Sequence, residues 1–215
     1  MATFRKLVTG TALISSVNML RLVVQFVSLP LLARLLSPED YGIVAMAMPI
    51  LLFVMLFADS GLGVSLVRDQ TAGATAWHSC FWLTTVLGAG LCLVLAAFSP
   101  TFADWMNEPA LAPVMATLAV VILLQSLTLV PGAALQRHGL FSRVAAAEIA
   151  GVLASIGVAI AVALHGFGVW ALVWQQVVLY GVRLLLTGLL IPSIAKGDSL
   201  GAALSEFGIP NPAKF

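Results

Sequence analysis

Six apolar stretches set the limits on what this chain can become. A bilayer's hydrocarbon core takes about 20 helical residues to cross, and residues 9–35, 41–67, 79–98, 111–130, 144–164 and 167–191 all meet that length. They are too long for the strands of a barrel, and their polar residues do not alternate. Only helices satisfy every backbone group from within one segment in lipid. Composition closes the soluble alternative: 61% of residues are hydrophobic and 9% charged, against roughly 25% charged in a globular protein, with a mean hydropathy of +1.08. The expectation is an all-α polytopic membrane protein with six transmembrane helices in one lobe, residues 1–195, followed by a polar tail, 196–215. A net charge of +1 offers no basic face for nucleic acid. Cys80 and Cys92, twelve apart in one stretch, form neither a disulfide framework nor a metal spacing, and read as small buried residues.

Turn and interface signals separate the stretches: Ser37-Pro38-Glu39-Asp40, then 68–78, 99–109, 131–143 and the tight His165-Gly166. Arg5-Lys6 before an apolar run resembles a signal peptide. Asn18, Arg21 and Gln25 interrupt that run, however, and no small-residue cleavage site closes it, so it reads as a retained first span. Basic loop residues orient the whole. With the N-terminus cytoplasmic, Arg5, Lys6, Arg68, Arg137, Arg143 and Lys196 lie inside, and only Arg34 lies outside, beside Glu39, Asp40, Asp104 and Glu108. Both termini are then cytoplasmic. Residues 196–215, with Pro210 and Pro212, cannot span, although 199–207 suits a short interfacial helix.

Polar groups at membrane depth are costly and face protein or water, which makes each a functional candidate. The first span carries Thr11, Ser15, Asn18, Arg21, Gln25 and Ser28, which fall within about 140° of arc at 3.6 residues per turn. Interhelical hydrogen bonding needs only one or two such groups, so the stripe points to a wet cavity. Gln176, Tyr180, Arg183 and Thr187 repeat the pattern within about 60° on the sixth span. Arg183 either faces that cavity or snorkels to the cytoplasmic interface. Asp59, before Ser60-Gly61-Leu62-Gly63, either pairs with Arg21 on the neighbouring helix or caps a helix that begins after it. Glu148 enters the fifth span from the cytoplasmic side, within reach of Arg183. His78, His138 and His165 sit at span ends on two sides and cannot converge on a metal or a triad. No nucleophile elbow or phosphate-binding glycine loop is present. Neither a cofactor nor catalysis is expected. Trp170 and Tyr41 read as interface anchors.

Leu32-Ala-Arg-Leu-Leu-Ser-Pro-Glu-Asp-Tyr-Gly42 resembles a signature of the oligosaccharide flippases of lipopolysaccharide and exopolysaccharide synthesis, in the multidrug/oligosaccharidyl-lipid/polysaccharide exporter superfamily. Further matches follow in order: Phe57-Ala-Asp-Ser-Gly-Leu-Gly63, Phe81-Trp82, Asn107-Glu-Pro109, Leu135-Gln-Arg137 with Phe141, and Gly166-Phe-Gly-Val-Trp-Ala-Leu-Val173. Together they cover residues 10–190.

The resemblance implies a transporter of the bacterial inner membrane that carries lipid-linked oligosaccharide between leaflets, built from two six-helix lobes around a cavity open alternately to each side. Family members are about twice this long, so the resemblance assigns this chain the first lobe, with Glu206-Phe-Gly-Ile-Pro210 resembling the lead-in to a seventh span. A second lobe or partner chain is then expected. Cavity logic gives Arg21 and Arg183 the pyrophosphate or acidic sugar. It gives Asn18, Gln25, Gln176 and Tyr180 the sugar hydroxyls, and Asp59 or Glu148 coupling to protons or sodium. The signature motifs themselves read as structural, with Arg34 pinning the first outer turn. The alternatives are a non-transporting membrane subunit, an inactive truncated lobe and, last, a membrane enzyme acting on lipid-linked sugars.

Overall fold

The structure, a computed structural model, describes residues 19, 22, 26, 30, 32, 34–59, 74–137 and 140–194. Within them run five long helices: α1 (Pro38–Asp59), α2 (Ala74–Met106), α3 (Leu111–Arg137), α4 (Phe141–Leu164) and α5 (Trp170–Ile194). Each is long and apolar enough to cross a membrane, and the chain is an all-α, multi-pass membrane protein. They correspond to the second through sixth apolar stretches. Of the first stretch, Met19, Leu22, Phe26, Pro30 and Leu32 are helical. Five spanning helices therefore stand among the described residues where six were expected. The tail 196–215 and the loop 68–73 fall outside those residues, as does His138.

The helices start and stop on local chemistry. Ser37 caps α1: its hydroxyl accepts from the Asp40 backbone N–H at 3.2 Å, and the Asp40 carboxylate accepts from the Ser37 N–H at 3.0 Å. This is a reciprocal capping box with Pro38 at the first helical position, where no N–H is needed. Arg34, expected to pin this turn, lies exposed beside it, and the closing contacts come from Ser37 and Asp40. At the far end of α2, Asn107 adopts φ +54°, Glu108 N–H donates to the Ala103 carbonyl and Asn107 N–H to Asp104. That is a Schellman stop with Asn in the left-handed position. Gly166, at φ +76°, ends α4 the same way, with Phe167 N–H on the Val162 carbonyl and Gly166 N–H on Ala163. Two of the signature motifs are thus helix stops.

Two expected loops are helical instead. α2 runs on through Ser99 and Pro100 to Met106, and α3 through Pro131 to Arg137. Proline at 100 cannot donate to the Ala96 carbonyl four residues back. The Ser99 hydroxyl takes that place, donating to Ala96 O at 2.8 Å, so the helix survives. Around Pro131 the support is tertiary: Trp77 of α2 packs on Val130 and Ala133. At 33 residues, α2 is roughly 50 Å long, which exceeds the thickness of a bilayer's hydrocarbon core.

α3 is the centre of the bundle and packs against all four other helices. Leu111, Val114, Met115, Leu118, Ala119, Val121 and Ile122 are all fully buried, the pattern of a helix enclosed on several sides. Apolar side chains gain little from leaving lipid for one another, so close approach of backbones supplies much of the cohesion. Gly88 of α2 sits directly on Ser126 of α3, whose hydroxyl is satisfied by Ile122 O in its own helix. Leu52, Phe53, Leu56, Leu83, Val86 and Leu93 face outward. Cys80 and Cys92 are unpaired and half-buried rather than buried. Tyr41 and Trp170, expected as interface anchors, are partly buried and pack against the main core.

Candidate functional site in the membrane interior

α4 and α5 form a hairpin held close by Gly151. A Cβ added there would lie 3.1 Å from the Leu179 carbonyl oxygen, nearer than a side chain normally approaches. Glu148 lies three residues before Gly151, and Arg183 four residues after Leu179. Because the helices run antiparallel, both project on the same side of that contact. Arg183 Nε stands 3.2 Å from Glu148 Oε2, with the Glu148 side chain 10% exposed and that of Arg183 32% exposed. A carboxylate and a guanidinium are thereby brought together inside the membrane-spanning part of the protein. A buried carboxylate there is tolerable only with a partner of this kind.

The polar stripe of α5 faces its neighbours. Gln176 and Tyr180 are half-buried, with Tyr180 packed on the core, and Thr187 is fully buried. The opposite side of α5 presents Trp174, Leu185 and Leu189, an apolar face suited to lipid. The Thr187 hydroxyl donates to Arg183 O at 2.7 Å and to Leu184 O at 3.1 Å, so it is satisfied within its own helix. Ser155 on α4 behaves alike, donating to Val152 O. Thr84, Ser126 and Thr128 follow the same pattern.

Asp59 closes α1, and its side chain falls outside the described residues, as do Asn18, Arg21 and Gln25 with their whole stripe. The pairing of Asp59 with Arg21 thus has no geometry here. His78 accepts a hydrogen bond from the indole N–H of Trp82 at 3.2 Å near the start of α2, and His165 contacts Ala161 O at the end of α4. These are opposite ends of the bundle. Among the described residues no three His, Cys, Asp or Glu side chains gather in a metal-binding cluster. Sequence reasoning passed over Gln125, which sits half-buried in α3. A lone amide in an apolar run gives no periodic signal.

Residues 31–197 match the polysaccharide biosynthesis protein family. The chain belongs to that family. Among curated relatives, it is 34% identical over 162 residues to the succinoglycan biosynthesis transport protein ExoT of Rhizobium meliloti, an alignment covering 74% of this chain and 32% of that protein. It is 23% identical over 128 residues to the lipopolysaccharide biosynthesis protein WzxC of Escherichia coli, covering 60% and 26% respectively. The chain thus spans under a third of the length of these two relatives. No solved structure matches it. The polysaccharide biosynthesis match takes in Asp59, Glu148, Gln176, Tyr180 and Arg183, whereas Asn18, Arg21 and Gln25 precede it. The charge pair of α4 and α5, with Gln176 and Tyr180 beside it on α5, is accordingly the part of the candidate site that combines family membership with described geometry.

Proposed function

We propose that residues 1–195 form a six-helix lobe of a flippase, completed by a second lobe or partner chain. It carries polyprenyl-pyrophosphate-linked sugar units across the bacterial inner membrane, with both termini cytoplasmic and without catalysis. Residues 196–215 are a cytoplasmic tail or the approach to that second lobe. Family membership supports the general reading, as does similarity to the succinoglycan biosynthesis transport protein of Rhizobium meliloti. The observation that carries the finer one is the Glu148–Arg183 pair.

A pyrophosphate crossing a low-dielectric slab needs positive charge and paired donors, which a guanidinium offers. Arg183 turns Nε toward Glu148, and a guanidinium carries further N–H donors of the kind that phosphate oxygens accept. With Glu148 ionised the pair is neutral and holds an anion weakly. A proton or sodium ion taken up at Glu148 offsets its charge, leaves the guanidinium unbalanced and strengthens its grip on the substrate. Loss of that ion loosens it. Substrate binding and ion coupling would then meet at one pair, with Asp59 as a second coupling group. Arg21 takes the far end of the anion, and Asn18, Gln25, Gln176 and Tyr180 serve the sugar hydroxyls. Switching is a rigid-body rocking of lobes around this site.

The test is polymer export from cells whose chromosomal copy carries Arg183→Gln, Arg21→Ala or Glu148→Gln, with membrane insertion checked by fractionation. Arg183→Gln and Arg21→Ala abolish export while the protein still inserts, and Glu148→Gln uncouples export from the driving ion. Normal export by a correctly inserted Arg183→Gln variant overturns the assignment.

A further inference from the structure

The most specific contact outside the membrane-interior pair joins two motifs that the chain keeps far apart. One carboxylate serves both. Asp40 Oδ2 accepts the Ser37 N–H at 3.0 Å and the Ser37 hydroxyl at 2.8 Å, which closes the first turn of α1. Its other oxygen, Oδ1, accepts the backbone N–H of Val169 at 2.7 Å, across 129 positions of sequence. Val169 immediately precedes α5, and its N–H finds its partner far away in the chain. Trp170, Ala171 and Leu172 find carbonyls within the turn itself, at Phe167, Gly168 and Val169.

The backbone is shaped to admit this carboxylate. Gly168 has φ +52°, and a Cβ there would come within 2.6 Å of Asp40 Oδ1 and 3.2 Å of its carboxyl carbon. Any side chain at 168 would both strain the turn and evict the acid. The starts of two helices are also the positive ends of their dipoles, so an anion between them is favoured by both. The short stem of aspartate suits the task, because one carboxyl group must reach a hydroxyl three residues back and an amide on another helix.

We propose that Asp40 is a clasp that joins the first turns of α1 and α5, so that this end of the bundle holds together as one rigid rim. The inference does not depend on the transport reading. It rests on a single acid capping two helices, with a glycine that leaves room for it.

Hydrogen–deuterium exchange of the full chain in lipid nanodiscs tests it, comparing the natural protein with Asp40→Ala, Asp40→Asn and Gly168→Ala. In Asp40→Ala, peptides spanning 35–41 and 165–171 exchange at least tenfold faster, while peptides from the middle of α3 keep their natural rate. In Asp40→Asn, one amide oxygen replaces two carboxylate oxygens, so one of the two peptides accelerates more than the other. Gly168→Ala speeds the 35–41 peptide, although the substitution lies far from it in sequence. An unchanged 165–171 peptide in Asp40→Ala overturns the clasp, as does uniform acceleration through α3. Should Asp40→Ala fail to insert, Asp40→Asn decides alone, and natural rates in both of its end peptides overturn the proposal.

Discussion

Two carboxylates mark two regions of this molecule, and their surroundings assign them different work. Glu148 lies nine-tenths buried between α4 and α5 and meets a guanidinium. Asp40 lies at the end of the bundle where α1 and α5 begin, and among the described residues it meets a hydroxyl and backbone amides. Inside the hydrocarbon a carboxylate without a countercharge costs several kcal/mol. At a helix start, amide donors and the helix dipole suffice. The chemical group is the same, and depth decides whether it needs an opposite charge. A charge-neutral pair at depth can respond to a proton or an anion, whereas a carboxylate bound by fixed backbone donors has little to exchange.

The sharpest way to break this contrast is Arg183→Leu, which takes the guanidinium away from Glu148. Loss of one partner of a buried pair typically costs 3–5 kcal/mol. With Arg183 about one-third exposed, roughly 3 kcal/mol is expected in thermal or denaturant unfolding of the detergent-solubilised protein. The exchanged pair Glu148→Arg with Arg183→Glu should recover most of that loss, and no recovery would mean that the two side chains act separately. Gly151→Ala follows. Its new methyl pushes on the Leu179 carbonyl, prising α4 from α5 beside the pair at about 2 kcal/mol, within the range for overpacking. Asp40→Asn is milder at about 1.5 kcal/mol, because one acceptor survives and only hydrogen bonds to a charged group are weakened. Ser37→Ala, which removes only the hydroxyl half of the capping box, should cost about 1 kcal/mol. A loss from Asp40→Asn as large as that from Arg183→Leu would erase the distinction between rim and interior.

Much of this was legible from local chemistry. The five described spans fall where the apolar stretches lie, because burying backbone in lipid forces helix wherever such a run is long enough. Ser37 through Asp40 and His165-Gly166 read as turn signals between spans, and the structure makes the first a helix start and the second a helix stop. The loops expected at 99–109 and 131–143 were largely helix for reasons that reading from proline alone does not supply. Ser99 serves the carbonyl that Pro100 leaves bare, and Trp77 from another helix packs beside Pro131. Glu148 and Arg183 were within reach of one another on the sequence. The close approach of helices at Gly151 is what turned that reach into a contact.

Amino-acid order by itself determined that the chain enters a membrane, where its helices run and where several of them end, because hydropathy and capping are properties of short stretches. Only the tertiary structure decided that Asp40 answers to Val169 and that Glu148 answers to Arg183. Those outcomes depend on how each helix is rotated about its axis and how closely its backbone meets the next. Small residues such as Gly88, Gly151 and Gly168 set both, and they do so only once their neighbours are in place.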